Sequence, residues 1–65
     1  MNACRRALRL LILMVLLEDR PYTSAELAVV LCVTRRTITK DLRDLQGEPL
    51  YYPLVCDRNR WRRMA

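Results

Sequence analysis

The chain has 65 residues, of which 52% are hydrophobic and 29% charged, with twelve Lys and Arg against seven Asp and Glu. A chain of this length buries only about 60% of its unfolded surface and has little room for a deep substrate pocket. The net charge is +5, and eleven of the twelve cations are arginine. This excess favours a polyanionic partner, because arginine binds phosphate and guanine through paired hydrogen bonds. We expect a single domain over residues 1–65.

Residue types used in catalysis and metal binding are sparse. Histidine is absent from the sequence, which removes the usual general base at neutral pH and the imidazole metal ligand. Cys4, Cys32 and Cys56 have the spacing of neither a disulfide framework nor a zinc site. We expect them to be small apolar filling residues in a reducing compartment. The single glycine, Gly47, excludes a glycine-rich phosphate loop. These features predict a cytoplasmic protein that is not an enzyme and uses no metal, disulfide or cofactor.

The first predicted helix covers residues 4–18 and ends before Pro21. It contains an unbroken apolar run, residues 10–17, which is too short to span a membrane. Apolar residues at helical spacing form a first stripe of Leu8, Leu11, Ile12 and Val15 and a second stripe of Leu10, Leu13, Met14 and Leu17. Either the C-terminal segment or a second copy of the chain covers the second stripe, and the latter would make a homodimer.

The second predicted helix begins at Thr23, because Thr23-Ser24-Ala25-Glu26 has the pattern of a capping box. It ends at residue 31 or 32. Its apolar stripe consists of Leu27, Val30 and Leu31. A turn of about three residues leads to a second cap at Thr34.

The third predicted helix covers residues 35–46 and stops at Gly47 and Pro49. One face is apolar, with Ile38, Leu42 and Leu45 at helical spacing. The opposite face is basic and hydroxylic, with Arg36, Lys40, Arg43, Thr37 and Thr39. Folding does not require such a basic face, since like charges four residues apart repel each other slightly. The face therefore points to a ligand.

The C-terminal part has the pattern of a hairpin of two strands. Residues 50–56 are rich in Tyr, Leu and Val, although Pro53 limits them to an edge strand. Residues 57–60 form a polar turn in which Asn59 tolerates positive φ, and residues 60–64 form the second strand. We expect Tyr52 and Trp61 to pack against the first helix. Three helices followed by a basic hairpin predict a mainly α fold, the winged helix-turn-helix.

Residues 22–46 resemble the helix-turn-helix of DeoR-like bacterial regulators. That family has a threonine cap, then Glu-Leu-Ala, Leu-Gly-Val-Ser, Arg-Arg-Thr-Ile and Asp-Leu at fixed spacing. The matching residues here are Glu26, Leu27, Ala28, Leu31, Val33, Arg35, Arg36, Thr37, Ile38, Asp41 and Leu42. Cys32 departs from the pattern, since it stands where the family has the turn glycine.

The resemblance implies that the third helix enters the major groove of double-stranded DNA, with Arg36 and Lys40 nearest the base edges, while the wing at residues 50–64 contacts the backbone or minor groove. The candidate DNA-binding residues are Thr34, Arg35, Arg36, Thr37, Thr39, Lys40, Arg43, Arg58, Asn59, Arg60, Arg62 and Arg63. Thr23 and Ser24 are candidate phosphate contacts at the start of the second helix. Arg5, Arg6 and Arg9 either contact phosphate or are solvated.

We therefore expect a small bacterial or phage transcriptional regulator, of the repressor type, that binds a specific DNA sequence without an effector domain for small molecules or a membrane contact. Three other interpretations stay open. The basic face of the third helix is simply solvated, the apolar helix of residues 4–18 docks on another protein as part of an interaction module, or the chain is a cationic peptide of membrane surfaces.

Overall fold

The computed structural model describes residues 2–64 and the side chains of residues 5–64. Helix α1 spans Asn2–Asp19. Its second stripe faces inward, since Leu13 and Leu17 are buried and Leu10 and Met14 pack against the core. The third helix and the hairpin cover this stripe within a single chain. The alternative that a second copy of the chain covers this stripe is therefore wrong, because the stripe is already buried in the core of a single chain.

The first stripe of α1 faces solvent instead. Leu8, Leu11 and Val15 are exposed, and Ile12 is half-buried. The helix is thus apolar on both sides, but only one side contributes to the core.

Strand β1, Tyr22–Thr23, precedes helix α2, Ser24–Leu31. The predicted capping box is confirmed: the Glu26 amide donates to Thr23 Oγ1 at 3.1 Å, and the Thr23 amide donates to Glu26 Oε1 at 2.8 Å. Leu27 is buried, but Val30 is exposed, contrary to its expected place in the apolar stripe. This eight-residue helix turns only a narrow face toward the core.

Helix α3, Arg35–Gln46, follows a turn in which Cys32 adopts the left-handed conformation, with φ 57° and ψ 43°. The Val33 amide donates to the Ala28 carbonyl at 3.0 Å and closes this turn. The predicted apolar face of α3 is confirmed, because Ile38, Leu42 and Leu45 are all buried.

Two of the three cysteines are not the apolar filling residues expected from the sequence. Cys32 and Cys56 are both exposed free thiols. Cys32 lies in the tight turn and Cys56 lies on a two-stranded hairpin, and neither place is covered by another element. The side chain of Cys4 lies outside the described ones.

Strands β2, Leu54–Asp57, and β3, Arg60–Arg63, form the hairpin. The predicted first strand started too early, at residue 50, because residues 47–50 form turns and Pro53 has no amide for a strand ladder. The sheet has the antiparallel order β1-β3-β2, with Trp61 between Tyr22 and Cys56. Strand β1 was not predicted, since two residues are too few to show an alternating pattern.

Three helices and a C-terminal antiparallel hairpin make a winged helix-turn-helix, so the predicted fold class is confirmed. Tyr52 packs on α1 as expected, with its hydroxyl donating to Glu18 at 2.8 Å and lying 3.3 Å from the Met14 carbonyl oxygen. Trp61 is half-buried against the core. Within residues 2–64, no helix combines the length and the hydropathy that a membrane span needs.

Candidate nucleic-acid interface

The solvent-facing side of α3 carries a row of cations. Arg36, Thr39, Lys40 and Arg43 line a shallow groove of about 420 Å³, and Arg35 is exposed at the start of the helix. Spacings of three and four residues place these side chains on one face, as the sequence predicted. Because the apolar face of α3 is buried in the core, this row of cations faces solvent.

The start of α3 is fixed by its two threonines. Thr34 Oγ1 accepts the Thr37 amide at 3.2 Å and lies 3.1 Å from the Thr37 hydroxyl. The Thr39 hydroxyl donates to the Arg35 carbonyl at 3.0 Å. The amides of Arg35 and Arg36 belong to the first turn, where a helix provides no acceptor, so they are available to a phosphate.

Both acidic residues of α3 are turned toward α1. Arg9 donates to Asp41 through Nε at 2.6 Å and through a second nitrogen at 3.2 Å. Asp41 is only 1% exposed. The hydrogen bond to the Asp41 carboxylate raises the pKa of Arg9 above its ordinary value. This bidentate pair joins the middle of α3 to α1.

A second ion pair, through one guanidinium nitrogen and more exposed, joins Arg6 to Asp44 nearer the end of α3. The expectation of phosphate contact or solvation is therefore wrong for Arg9, whose guanidinium binds the buried Asp41. Arg6 remains exposed to solvent, but its guanidinium also binds a carboxylate of the same chain. Asp44 likewise pairs with Arg6 rather than with a cation of α3. The exposed row of α3 consequently contains cations without an intervening carboxylate.

Sequence reasoning missed these two pairs, although a signal was present. Asp41 lies three residues after Ile38 and four before Leu45, so it shares the apolar face of α3. A carboxylate on a buried face needs a cation. The arginines at the start of α1 were the unassigned cations.

The hairpin divides its cations between two sides. Its two-residue turn has positive φ at Arg58 (52°) and Asn59 (65°), which places both side chains at the tip. Positive φ was predicted for Asn59 but not for Arg58. Because side chains alternate along a strand, Arg60 and Arg62 of β3 lie on the side away from the core. Both are exposed.

Arg63 lies on the other side of β3. Its Nε is 3.1 Å from Glu18 Oε1, and its guanidinium lies 5.8 Å from the centre of the Tyr52 ring. The structure thus separates Arg62 from Arg63, which the sequence had grouped as candidate DNA-binding residues. Arg63 attaches the hairpin to the end of α1.

The start of α2 is less suited to a phosphate than the start of α3. The Thr23 hydroxyl already accepts the Glu26 amide, and Ser24 is half-buried. The Glu26 carboxylate lies at the same helix end. Its pKa is lowered first by the hydrogen bond from the Thr23 amide and, more weakly, by the charges of Arg20 and Arg60, so it stays ionised and opposes a second anion.

Comparison with known families agrees with this geometry. A family model described as "HTH domain" matches residues 8–60, which include the inward-facing part of α1, both helices of the helix-turn-helix and most of the hairpin. No curated protein and no solved structure shows significant similarity to the chain.

Proposed function

This chain belongs to the family of HTH domains, and we propose that it binds a specific sequence of duplex DNA with α3 in the major groove. DNA binding is what the family suggests. The observation that supports base recognition by α3 is its exposed face, which carries Arg36, Lys40 and Arg43. No carboxylate of α3 neutralises these cations, because Asp41 and Asp44 face α1. A helix of this diameter fits the major groove.

Within this proposal the side chains have different tasks. Arg36 and Lys40 are central in the row and reach base edges, while Arg35, Arg43 and the hydroxyl groups of α3 contact the backbone. Arg58 and Asn59 reach the adjacent backbone or minor groove from the tip of the wing. Arg60 and Arg62 bind phosphate.

The chain would act by occupying DNA rather than by chemistry. HTH domains are typically not enzymes, and the cation row has none of the paired acid and base groups that catalysis needs. We propose a bacterial or phage transcriptional regulator, of the repressor type, that works in the cytoplasm on the nucleoid. The narrower DeoR-like resemblance is part of this proposal.

Selection from a random duplex library, followed by titration of the selected and a scrambled duplex, tests the proposal. Arg36→Ala is expected to weaken binding to the selected duplex by about 1–3 kcal/mol and to affect the scrambled duplex much less. Arg62→Ala is expected to weaken both duplexes about equally and to lower the slope of log affinity against log salt by about one.

Arg63→Ala is the matched control for Arg62→Ala, because the two residues are adjacent but face opposite sides of β3. Since Arg63 is engaged with Glu18, its removal should leave the salt slope unchanged. Equal losses on both duplexes for Arg36→Ala would contradict base reading by α3. Failure of the unmodified chain to bind any duplex would instead favour a protein-interaction module that uses the exposed stripe of α1.

A further inference from the structure

The exposed stripe of α1 is unusual for the solvent side of a helix. Leu8, Leu11 and Val15 are 57%, 54% and 63% exposed. At about 100° per residue they fall within an arc of roughly 60° that points directly away from Leu13 and Leu17. A helix that needed only to complete this core would carry polar residues there.

The apolar surface continues beyond α1. Leu8 and Ile12, with Arg5 and Arg9 beside them, line an open groove of about 350 Å³ together with residues 31–33 of the turn between α2 and α3. Leu8 therefore connects the stripe to the apolar side chains of this turn. Such surfaces on small proteins mark contacts with other macromolecules.

Opposite charges stand at the two ends of this stripe. Arg5 precedes Leu8 by three residues and Asp19 follows Val15 by four, so both lie along the same edge of the stripe, on the side of Ile12. Both are exposed, and neither forms an ion pair with another residue whose side chain is described. They are free to pair with charges on a partner.

The arrangement is nearly symmetric about the middle of α1. The midpoint between Arg5 and Asp19 is Ile12, and the midpoint between Leu8 and Val15 falls between Leu11 and Ile12. A two-fold axis through this point would place the stripe of a second copy against the first. Arg5 of each copy would then lie opposite Asp19 of the other. Self-complementarity of this kind is the requirement of a two-fold interface between identical chains.

We propose that this stripe is the contact between two copies of the chain, with the two α1 helices packed antiparallel. In this arrangement Leu8 of each copy packs near Val15 of the other, and Arg5 pairs with the partner's Asp19 at both ends. A parallel arrangement would place like charges together. The contact lies on the side of α1 opposite α3, so it leaves the cation row of both copies uncovered.

The proposal does not depend on DNA binding, although the two combine naturally. A two-fold pair carrying one α3 helix in each copy would match a target with two inverted half-sites. Only this consequence rests on the proposed function.

The solution mass of the chain in the absence of DNA tests the proposal. Light scattering at micromolar to millimolar concentration is expected to give about twice the chain mass of 7.7 kDa at the upper end. Leu11→Glu is expected to return the mass to a single chain while keeping the helical circular dichroism, because the side chain is exposed. A single-chain mass over the whole range for the unmodified protein would overturn the proposal.

Val29→Glu is the matched control, since Val29 is 78% exposed on α2 and lies outside the stripe. It should leave the doubled mass unchanged. Dissociation by Val29→Glu but not by Leu11→Glu would place the contact elsewhere and overturn the proposal.

Charge reversal tests the antiparallel orientation. Arg5→Asp places like charges together at both ends and is expected to raise the dimer dissociation constant roughly 3- to 30-fold, as two exposed pairs are lost. Adding Asp19→Arg to the same chain should restore the original constant, because the charges are merely exchanged. A double variant as weak as Arg5→Asp alone would contradict the antiparallel contact.

Discussion

At the scale of the single residue, Cys32 has the least favourable backbone in the helix-turn-helix. Its φ of 57° lies in the left-handed region, where the Cβ of any residue other than glycine has a steric cost. The amide of Cys32 still donates to the carbonyl groups of Ala28 and Val29, so the turn keeps its hydrogen bonds despite the side chain. The DeoR-like pattern has glycine at this position, and here Cys32 takes a left-handed conformation of the kind that glycine favours.

We therefore expect Cys32→Gly to stabilise the chain by about 0.5–1 kcal/mol, since relief of the left-handed strain exceeds the greater freedom of glycine in the unfolded state. The exposed thiol contributes little packing that would be lost. Urea unfolding of the variant measures the gain. Cys32→Ala keeps the Cβ and should give no gain, and equal stability of the Gly and Ala variants would argue against strain.

Two further positions show that the direction of a side chain determines its contacts. Arg62 and Arg63 are adjacent, chemically identical and both exposed, yet Arg62 lies on the outer side of β3 whereas Arg63 pairs with Glu18 beside the Tyr52 ring. Their separation follows from strand alternation once Trp61 is fixed toward the core. The same alternation makes them a matched pair for measuring phosphate contacts.

At the scale of the element, α2 depends on its capping box because it is only eight residues long. Short helices gain little from their own hydrogen bonds and need caps and tertiary contacts. The lowered pKa of Glu26 shows that the folded chain favours the ionised carboxylate at this cap. The contribution is therefore complete above the pKa of unfolded glutamate, about 4.3, and is lost as the pH falls through the lower pKa of the folded state.

Glu26→Gln should remove this part of the acid sensitivity, because the amide can still accept a hydrogen bond but does not titrate. We expect the melting temperature of the unmodified chain to fall more between about pH 6 and pH 3 than that of the variant, because this range includes the pKa of unfolded glutamate, about 4.3. Scans at several pH values measure the difference. Parallel curves for the two proteins would show that the cap is independent of charge.

At the scale of the whole molecule, the ion pairs between α1 and α3 connect the core to the cation row. Asp41 is buried, and its partner Arg9 is half-buried, so the pair is only partly screened by water. Removing one partner leaves a buried charge without compensation, which is costlier than removing both. The pair also fixes the rotation of α3 relative to α1, and hence the direction of Arg36 and Lys40.

We expect Arg9→Met to lower the free energy of unfolding by about 2–4 kcal/mol, somewhat less than for a fully buried pair because Arg9 retains contact with solvent. Asp41→Leu combined with Arg9→Met should recover most of this loss. Urea titration of the single and double variants measures both values. A double variant no more stable than Arg9→Met would show that the pair does not act as a unit.

The sequence by itself determined most of the local structure. The capping box of α2, the extent of α3 and its division into an apolar and a basic face all follow from short-range patterns, because capping and helical periodicity act within a few residues. The order of helices and hairpin then predicted the fold. The cation row of α3 could also be predicted, because Ile38, Leu42 and Leu45 mark the buried face and the row lies opposite them.

Only the tertiary structure decided which side of α1 became core, since both of its stripes are apolar and periodicity does not distinguish them. It also paired Arg9 with Asp41 across 32 positions of sequence, turned Arg63 toward Glu18 and added strand β1 beside Trp61. These contacts join residues far apart in the chain, and their partners are chosen by the packing of whole elements. Local pattern carries no information about that choice.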